Sequence, residues 1–398
     1  MCYSPLELIA VEGMVVVTVT MQRVLEELVA MRDDPYCWAR EEQARGRKAI
    51  GITPMHFPEE LIHASGALPV VLQESNFMVT TGWDYLPAHF CAFTRSNVDA
   101  AVKGELDFLD AYLLSDFCLQ MRSAFHIIER HCKAPMIYMW WPPEYNYVRG
   151  LASARMRMAK VRARLEEITG QSITDDSLAR SIRIYNENRR LLREIDELRV
   201  TKLGVISVSD MQLLVQSSML MDKERHNEIL ARVLEDLKEA TVSQQGAARF
   251  FLSGHLCHAV RPTTLDLIEE VGGVVVGDDL YTGKRYYAAY VSEEDPPIDA
   301  LIHRWFDPGL ACPEKVGSER NWMEELVSDV RRTNAEGVIC MMPKHCEPHM
   351  FYYPSLRQRM SDENIPMLLI QTEHEMLGIE GVKTRIEAMT ETLKGARA

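Results

Sequence analysis

The chain has no apolar run approaching the roughly 20 residues needed to cross a bilayer as a helix. The short apolar stretch at residues 14–20 (MVVVTVT) has no basic region before it and no small-residue cleavage site after it. No secretory leader is therefore expected, and the cytoplasm is the expected compartment. Basic charge is also scarce: 44 Lys and Arg stand against 58 Asp and Glu, a formal net charge of -14. A general nucleic-acid binder needs a basic face, so that class is set aside, and no membrane partner is expected. Several catalytic signatures are missing too. There is no G-x-S-x-G elbow for an acyl-enzyme hydrolase. There is no G-x-x-x-x-G-K-S/T loop, so ATP hydrolysis by this chain through a P-loop is not expected. GVVVGDDLYTGK has glycines but not the dinucleotide-binding spacing. No compact C-x-x-C pair marks a zinc or ferredoxin-type site.

What the chain does have is nine cysteines in 398 residues, too dispersed for a secreted disulfide framework. In a reducing compartment such cysteines are buried, catalytic or metal-bound. Three of them share one setting, just after an apolar strand-like run or at the start of the helix-like segment beyond it. Cys91 opens CAFTRSNVDAAV, Cys118 lies in LLSDFCLQMRSAF, and Cys346 lies in GVICMMPKHCEPHMF. A helix N-terminus stabilises negative charge and lowers a thiol's pKa, so these three are candidate ligands of a metal centre. Cys37, Cys132, Cys257, Cys312 and Cys340 are read as small buried hydrophobes. Cys257, in the loop SGHLCH, also has a position compatible with a cleft. His63 reads as structural, and His345, beside Cys346, as a neighbour of the candidate ligands or a solvent-facing loop residue.

The main body alternates strand and helix. Residues 48–53 (KAIGIT) form a short strand; Pro58 starts a helix at its first position, Gly66 ends it, and residues 68–72 (LPVVL) form the next strand. The pattern recurs at residues 249–253 (RFFLS), with Gly254 opening a loop, then a helix from Pro262 stopped at Gly272 and Gly273, then a strand at 274–276. Further strands are expected at 108–114, 337–342 and 366–371. Such units build parallel sheets. The charged stretch between the halves, residues 152–240, predicts exposed helices bridging two lobes, with Asp175 and Asp176 near a helix start. The fold class is therefore α/β, two Rossmann-like parallel-sheet lobes joined by a helical connector. The expected divisions are an N-terminal helical segment at 1–45, a first lobe at 46–151, the connector at 152–245 and a second lobe at 246–398. The first twenty residues differ in character from the rest of the chain, so Met14 or Met21 is an alternative start and Cys2 carries no weight. Ligands bind beyond the carboxyl ends of strands in open parallel sheets, which would put a site held by all three cysteines in the cleft between lobes.

The sequence resembles the 2-hydroxyacyl-CoA dehydratase and benzoyl-CoA reductase family from about residue 34 to the end. The resemblance is carried in order by GITPMHFPEELIHASGALPV, CAFTRS, LLSDFC, ITDDSLARSIRIYNENRRLL, RFFLSGHL, VVVGDDLYTGKRYY, AEGVICMMPKHCEPH and KTRIEAMTETL. It implies a [4Fe-4S] cluster held by three cysteines, at positions matching Cys91, Cys118 and Cys346. It also implies a homologous second cluster-bearing subunit, a separate ATP-hydrolysing activator as electron donor, and ferredoxin or flavodoxin upstream. The implied chemistry is one-electron reduction of a CoA thioester to a ketyl radical anion, which makes ring protonation or hydroxide loss feasible.

The segment DPYCWAREEQARGRKAIGI and the overall length look most like the smaller cluster-bearing subunit (the C-type polypeptide) of benzoyl-CoA reductase. An (R)-2-hydroxyacyl-CoA dehydratase subunit, a relative with a double cubane, and a non-catalytic electron relay are the alternatives. Glu60 is the candidate polar contact to the acyl-CoA substrate, its other reading being a first-turn carboxylate that favours the helix dipole. Where dehydratase catalytic subunits offer a serine hydroxyl, this loop has Thr53. Asp116 is expected to cap a helix rather than donate a proton.

Overall fold

The computed structural model describes residues 24, 26–29, 34–54, 57–75, 77–116, 118–140, 148–241, 246–254, 259–306, 322–374 and 378–397, with residues 116, 148 and 149 described in backbone only. The alternative start, Cys2, Cys257 and Cys312 lie outside the described residues.

Two four-stranded sheets carry the fold, and every pairing in them is parallel. The first contains β1 (Ala49–Ile52), β2 (Leu68–Val71), β3 (Ala111–Asp116) and β4 (Met136–Trp140) in the order β2-β1-β3-β4. The second contains β5 (Ala248–Gly254), β6 (Gly273–Asp278), β7 (Gly337–Pro343) and β8 (Met367–Thr372) in the order β6-β5-β7-β8. The two orders are the same, so each half of the chain is wound on one design. In each sheet the direction of winding reverses at one point, between β1 and β3 and between β5 and β7, and such switch points leave a crevice beyond the strand ends.

The strands form because their residues suit burial on both faces. In the second sheet Phe250, Leu252, Ile339 and Met341 face one core, whereas Phe251, Val338, Cys340 and Met342 face the other. This period of two is what a pleated strand between two helical layers requires. Cys340 is thus core filling as expected, and burial pushes its thiol up to about 12. Cys132 is also buried, while Cys37 is half-buried at the start of α1 (Cys37–Ala44). Gly254 is the last residue of β5 rather than a loop residue. Its φ is +117°, and a Cβ there would meet the Met341 carbonyl oxygen at 1.9 Å, so only glycine lets β5 and β7 stay paired to their ends.

The helices of the first half are α2 (Glu59–Ala64), α3 (Gly82–Tyr85), α4 (Ala92–Val102) and α5 (Leu119–His131). Pro58 is the N-cap of α2, one place before its expected position, and Gly66 follows the helix with φ +81°. Four helices then make the connector: α6 (Val148–Thr169), α7 (Asp175–Thr201), α8 (Val208–Ser218) and α9 (Lys223–Glu239). Asp175 and Asp176 do lie in the first turn of α7, behind a capping box made by Thr174 and Ser177.

The connector differs from expectation in its exposure. One face of α7 and most of α8 are buried, and their apolar residues share a core with the first sheet. Some of its charges are paired inside the protein: Arg199 bonds to Asp196 at 3.0 Å and to Asp278 at 2.9 Å. The second half adds α10 (Pro262–Glu270), α11 (Lys284–Tyr287), α12 (Pro297–Phe306), α13 (Trp322–Arg332), α14 (Glu347–Asp362) and α15 (Ile379–Gly395). Tyr287, Leu301 and Trp305, on α11 and α12, join the first core rather than either core of the second sheet.

Glu269 of α10 receives the Val208 backbone N–H at the start of α8, joining the connector to the second lobe. Burial raises its carboxyl to about 7, against the hydrogen bond that lowers it. A carboxyl raised on folding binds its proton more tightly in the native state, so native stability falls as pH rises from the ordinary carboxylate value to about 7. Glu269→Gln should remove that fall, which is on the order of 1–3 kcal/mol. Urea unfolding at pH 5 and pH 8 checks it: the wild type should lose more stability than the variant between the two.

Candidate functional site

Each of the three cysteines occupies the N-cap position of a helix: Cys91 of α4, Cys118 of α5 and Cys346 of α14. The helices run for 11, 13 and 16 residues, long enough for each N-terminus to present a positive dipole end. Cys118 follows β3 and Cys346 follows β7, the equivalent strand of the other lobe, so these two sit at matching switch points. Asp116 is the last residue of β3, and the cap expected of it belongs instead to Cys118, whose Sγ accepts the Met121 N–H at 3.4 Å.

One side chain brings the three turns together. Gln120, in the first turn of α5, accepts the Cys91 N–H on Oε1 at 2.8 Å. Its Nε2 donates to the His345 carbonyl at 2.8 Å and to the His89 carbonyl at 3.3 Å. His345 adopts a left-handed φ of +64°, the turn from which the chain enters Cys346 and α14. All three cysteines pack against the first core, including Cys346, which arrives from the second sheet. None of the six described cysteines forms a disulfide.

Near the sulfurs, Cys91 Sγ lies 3.2 Å from Thr94 Oγ1 and Cys346 Sγ lies 3.5 Å from His349 Nδ1. The expectation of a lowered thiol is reversed at Cys91: burial raises it, outweighing the Thr94 hydroxyl and backbone that lower it. A metal bound there would have to displace that proton, as coordination does. Among the described residues no three His, Cys, Asp or Glu side chains are grouped as ligands of a single metal ion. A cubane places each thiolate on a different iron, so its ligands stand farther apart than those of one ion. Three half-buried cysteines at helix N-caps joined through one amide are a donor set of the right chemistry for that group.

The lobes meet along the same edge. Arg95 of α4 is almost fully buried, donates to the carbonyls of Ala88 and Phe90, and stacks over Trp83 at 3.9 Å. It also reaches Glu373 beyond β8 at 3.4 Å. Beside it Glu74 pairs with His374, and Arg261 donates to the Ser75 carbonyl at 3.0 Å. Burial opposes the charge on His374, but Glu74 outweighs it and raises its pKa.

A second polar cluster lies at the start of α2, beyond the end of β1. Glu60 is 1% exposed and its carboxylate is ion-paired with Arg189 of α7. Burial pushes Glu60 up, but Arg189 and Arg304 outweigh it and hold it below the usual range. Glu60 thus points inward, because α2 packs on α7, instead of toward the cleft where the sequence placed its substrate contact. Its neighbour Glu59 accepts the Tyr286 hydroxyl at 3.0 Å and lies 3.5 Å from Lys223 Nζ, which donates to Tyr286 at 2.8 Å. Burial raises Glu59 and lowers Lys223 to about 8. His63 bonds Ser181 at 3.0 Å, and burial holds it at about 4, a structural histidine as expected. Thr53 gives its hydroxyl to β3, accepting the Ser115 N–H at 2.9 Å.

A family model described as 2-hydroxyglutaryl-CoA dehydratase, D-component, matches residues 54–393. The chain belongs to that family. Among its relatives, the (R)-phenyllactyl-CoA dehydratase beta subunit of Clostridium sporogenes is 27% identical, covering 87% of this chain and 92% of the relative. The C subunit of benzoyl-CoA reductase from Thauera aromatica is 25% identical, covering 89% and 93%. The (R)-2-hydroxyglutaryl-CoA dehydratase subunit beta of Acidaminococcus fermentans is 25% identical, covering 93% and 99%. All three relatives are named as subunits. No helix among the described residues is long and apolar enough to cross a membrane.

Sequence reasoning missed Gln120, Arg95 and the Glu59–Tyr286–Lys223 trio. Gln120 gives no local signal, since its partners are 29 and 225 residues away. A buried arginine in CAFTRS likewise reads as an exposed helical charge until its cap and stacking partners are in place.

Proposed function

We propose that this chain is an iron–sulfur subunit of an ATP-dependent, ferredoxin-driven acyl-CoA reductase of the benzoyl-CoA reductase type, with Cys91, Cys118 and Cys346 as the thiolate ligands of one [4Fe-4S] cluster. The observation that carries it is the Gln120 amide, which bonds the turns of Cys91 and Cys346 from the helix that Cys118 caps. When bound, such a cluster supplies single electrons of low potential to a CoA thioester. The protein's own part is to hold the three thiols at helix N-termini and to keep the nearby Arg95 guanidinium out of water. Thr53 is committed to the β3 backbone, which supports a subunit that offers no hydroxyl from this loop. In this reading Glu60 fixes Arg189 and through it the base of α2, and the neighbouring Glu59–Tyr286–Lys223 trio is a buried hydrogen-bonded network that braces the same helix.

Exposed apolar side chains flank the cysteine turns, among them Leu119 beside Cys118 and Phe351, 86% exposed, one turn after Cys346. They suit cover by the second, homologous cluster-bearing subunit. The absent P-loop leaves ATP hydrolysis to a separate activator. A second reading, a subunit of an (R)-2-hydroxyacyl-CoA dehydratase, is favoured by the family description and by two of the three relatives above. Anaerobic co-purification with its partners, followed by assay with ATP and a strong reductant, separates the two. Reduction of benzoyl-CoA is expected; dehydration of a 2-hydroxyacyl-CoA without it would establish the second reading. Activity in a complex whose acyl-CoA binds only at the partner would make this chain an electron relay.

A further inference from the structure

Resting on the assignment of the three cysteines to a cluster, we propose that Gln120 is the positioning residue that sets the spacing of the three thiolates. Gln120 is buried and uses its amide on both sides: Oε1 takes the Cys91 N–H at 2.8 Å, and Nε2 serves the carbonyls of His345 at 2.8 Å and His89 at 3.3 Å. These are backbone bonds to Cys91 itself and to the residue before Cys346. The amide therefore fixes where the two cysteine backbones lie relative to α5 through their main chains and not through their sulfurs. Cys91 and Cys346 come from different lobes, so this contact also makes lobe closure a condition of the ligand spacing. A carboxylate could accept the Cys91 N–H but would turn lone pairs toward two carbonyl oxygens. Neighbours that orient ligands in this way typically change metal affinity by about 10- to 100-fold when removed.

The test compares Gln120→Glu and Gln120→Met with Gln212→Met in the full-length protein, co-purified anaerobically with its partner. Gln212 is a matched control: its amide donates to the Val260 carbonyl at 2.7 Å and accepts the Val260 N–H at 3.0 Å and the Thr282 hydroxyl at 3.2 Å, joining α8 to the second half through partners that belong to none of the three cysteine turns. The readouts are the rate of iron release to a chelator, the paramagnetic resonance spectrum of the reduced protein, and the melting temperature. Both Gln120 variants should release iron about 10- to 100-fold faster with an altered spectrum. Gln212→Met should melt lower while keeping wild-type release. Unchanged release in Gln120→Met, or equal acceleration in Gln212→Met, overturns the proposal; Gln120→Met decides the matter should Gln120→Glu not fold. A wild type without iron removes the cluster assignment itself, whereas iron-loaded wild type with unchanged Gln120 variants removes this proposal alone.

Discussion

Cys118→Ala, prepared anaerobically, should contain only trace iron and lose the visible absorbance of a cluster, while its far-ultraviolet spectrum remains that of an α/β protein. The two effects separate because Cys118 does two jobs. As the N-cap of α5 it accepts the Met121 N–H, and losing a cap costs about 0.5–2 kcal/mol, too little to unfold a chain with cores of this size. As a thiol it is one of three that come from different helices, and two remaining thiolates cannot retain a cubane that needs three. Cys118→Ser isolates the ligand function, since a hydroxyl keeps the cap but is a poor ligand for iron. It should therefore keep wild-type stability and still lose most of its iron. Cys346→Ala and Cys91→Ala should behave alike, whereas Cys132→Ala and Cys340→Ala, which remove side chains buried elsewhere, should keep full iron and lose only stability. Full iron in Cys118→Ala would refute its assignment.

Arg189→Met should destabilise the protein by about 3–5 kcal/mol, because it leaves the Glu60 carboxylate charged and unpaired inside the core. The neighbouring Arg304 gives only partial relief, its own charge being opposed by burial, which lowers it to about 10. The double variant Arg189→Met with Glu60→Gln removes both charges and should recover most of the loss, a coupling that a double-mutant cycle in urea measures. The same cycle tests what Glu60 does. An internal ion-pair residue should affect stability with little change in KM when Arg189 is replaced alongside it. A direct contact with substrate would instead raise KM in Glu60→Gln whatever residue stands at 189.

Much of the architecture is legible in the sequence because its signals are local. Buried β-runs such as GVICMM, and punctuation such as Gly66, Pro262 and Gly272, fix strands and helices without reference to distant residues. In the connector, charge is a poor guide to exposure: Arg189 and Arg199 are buried, and each is balanced by a carboxylate outside its own turn, Glu60 for one and Asp278 for the other. The same limit applies at the candidate site. Helix N-termini near three cysteines are visible, since each cysteine follows an apolar run or precedes a helical one. The bond that joins them is not, because a glutamine one turn into a helix looks like solvent-facing filler. The thiol pKa argument fails at Cys91 for a related reason: dipole position is written in the sequence, but the depth of burial that outweighs it is set by packing between halves.

The central claim, three thiolates from two lobes holding one cubane, is tested most directly by counting iron and acid-labile sulfide per chain in protein prepared without oxygen. One cluster predicts about four of each. A colourless protein without iron would contradict the account outright, and about eight of each would mean a double cluster that the three cysteines alone do not hold.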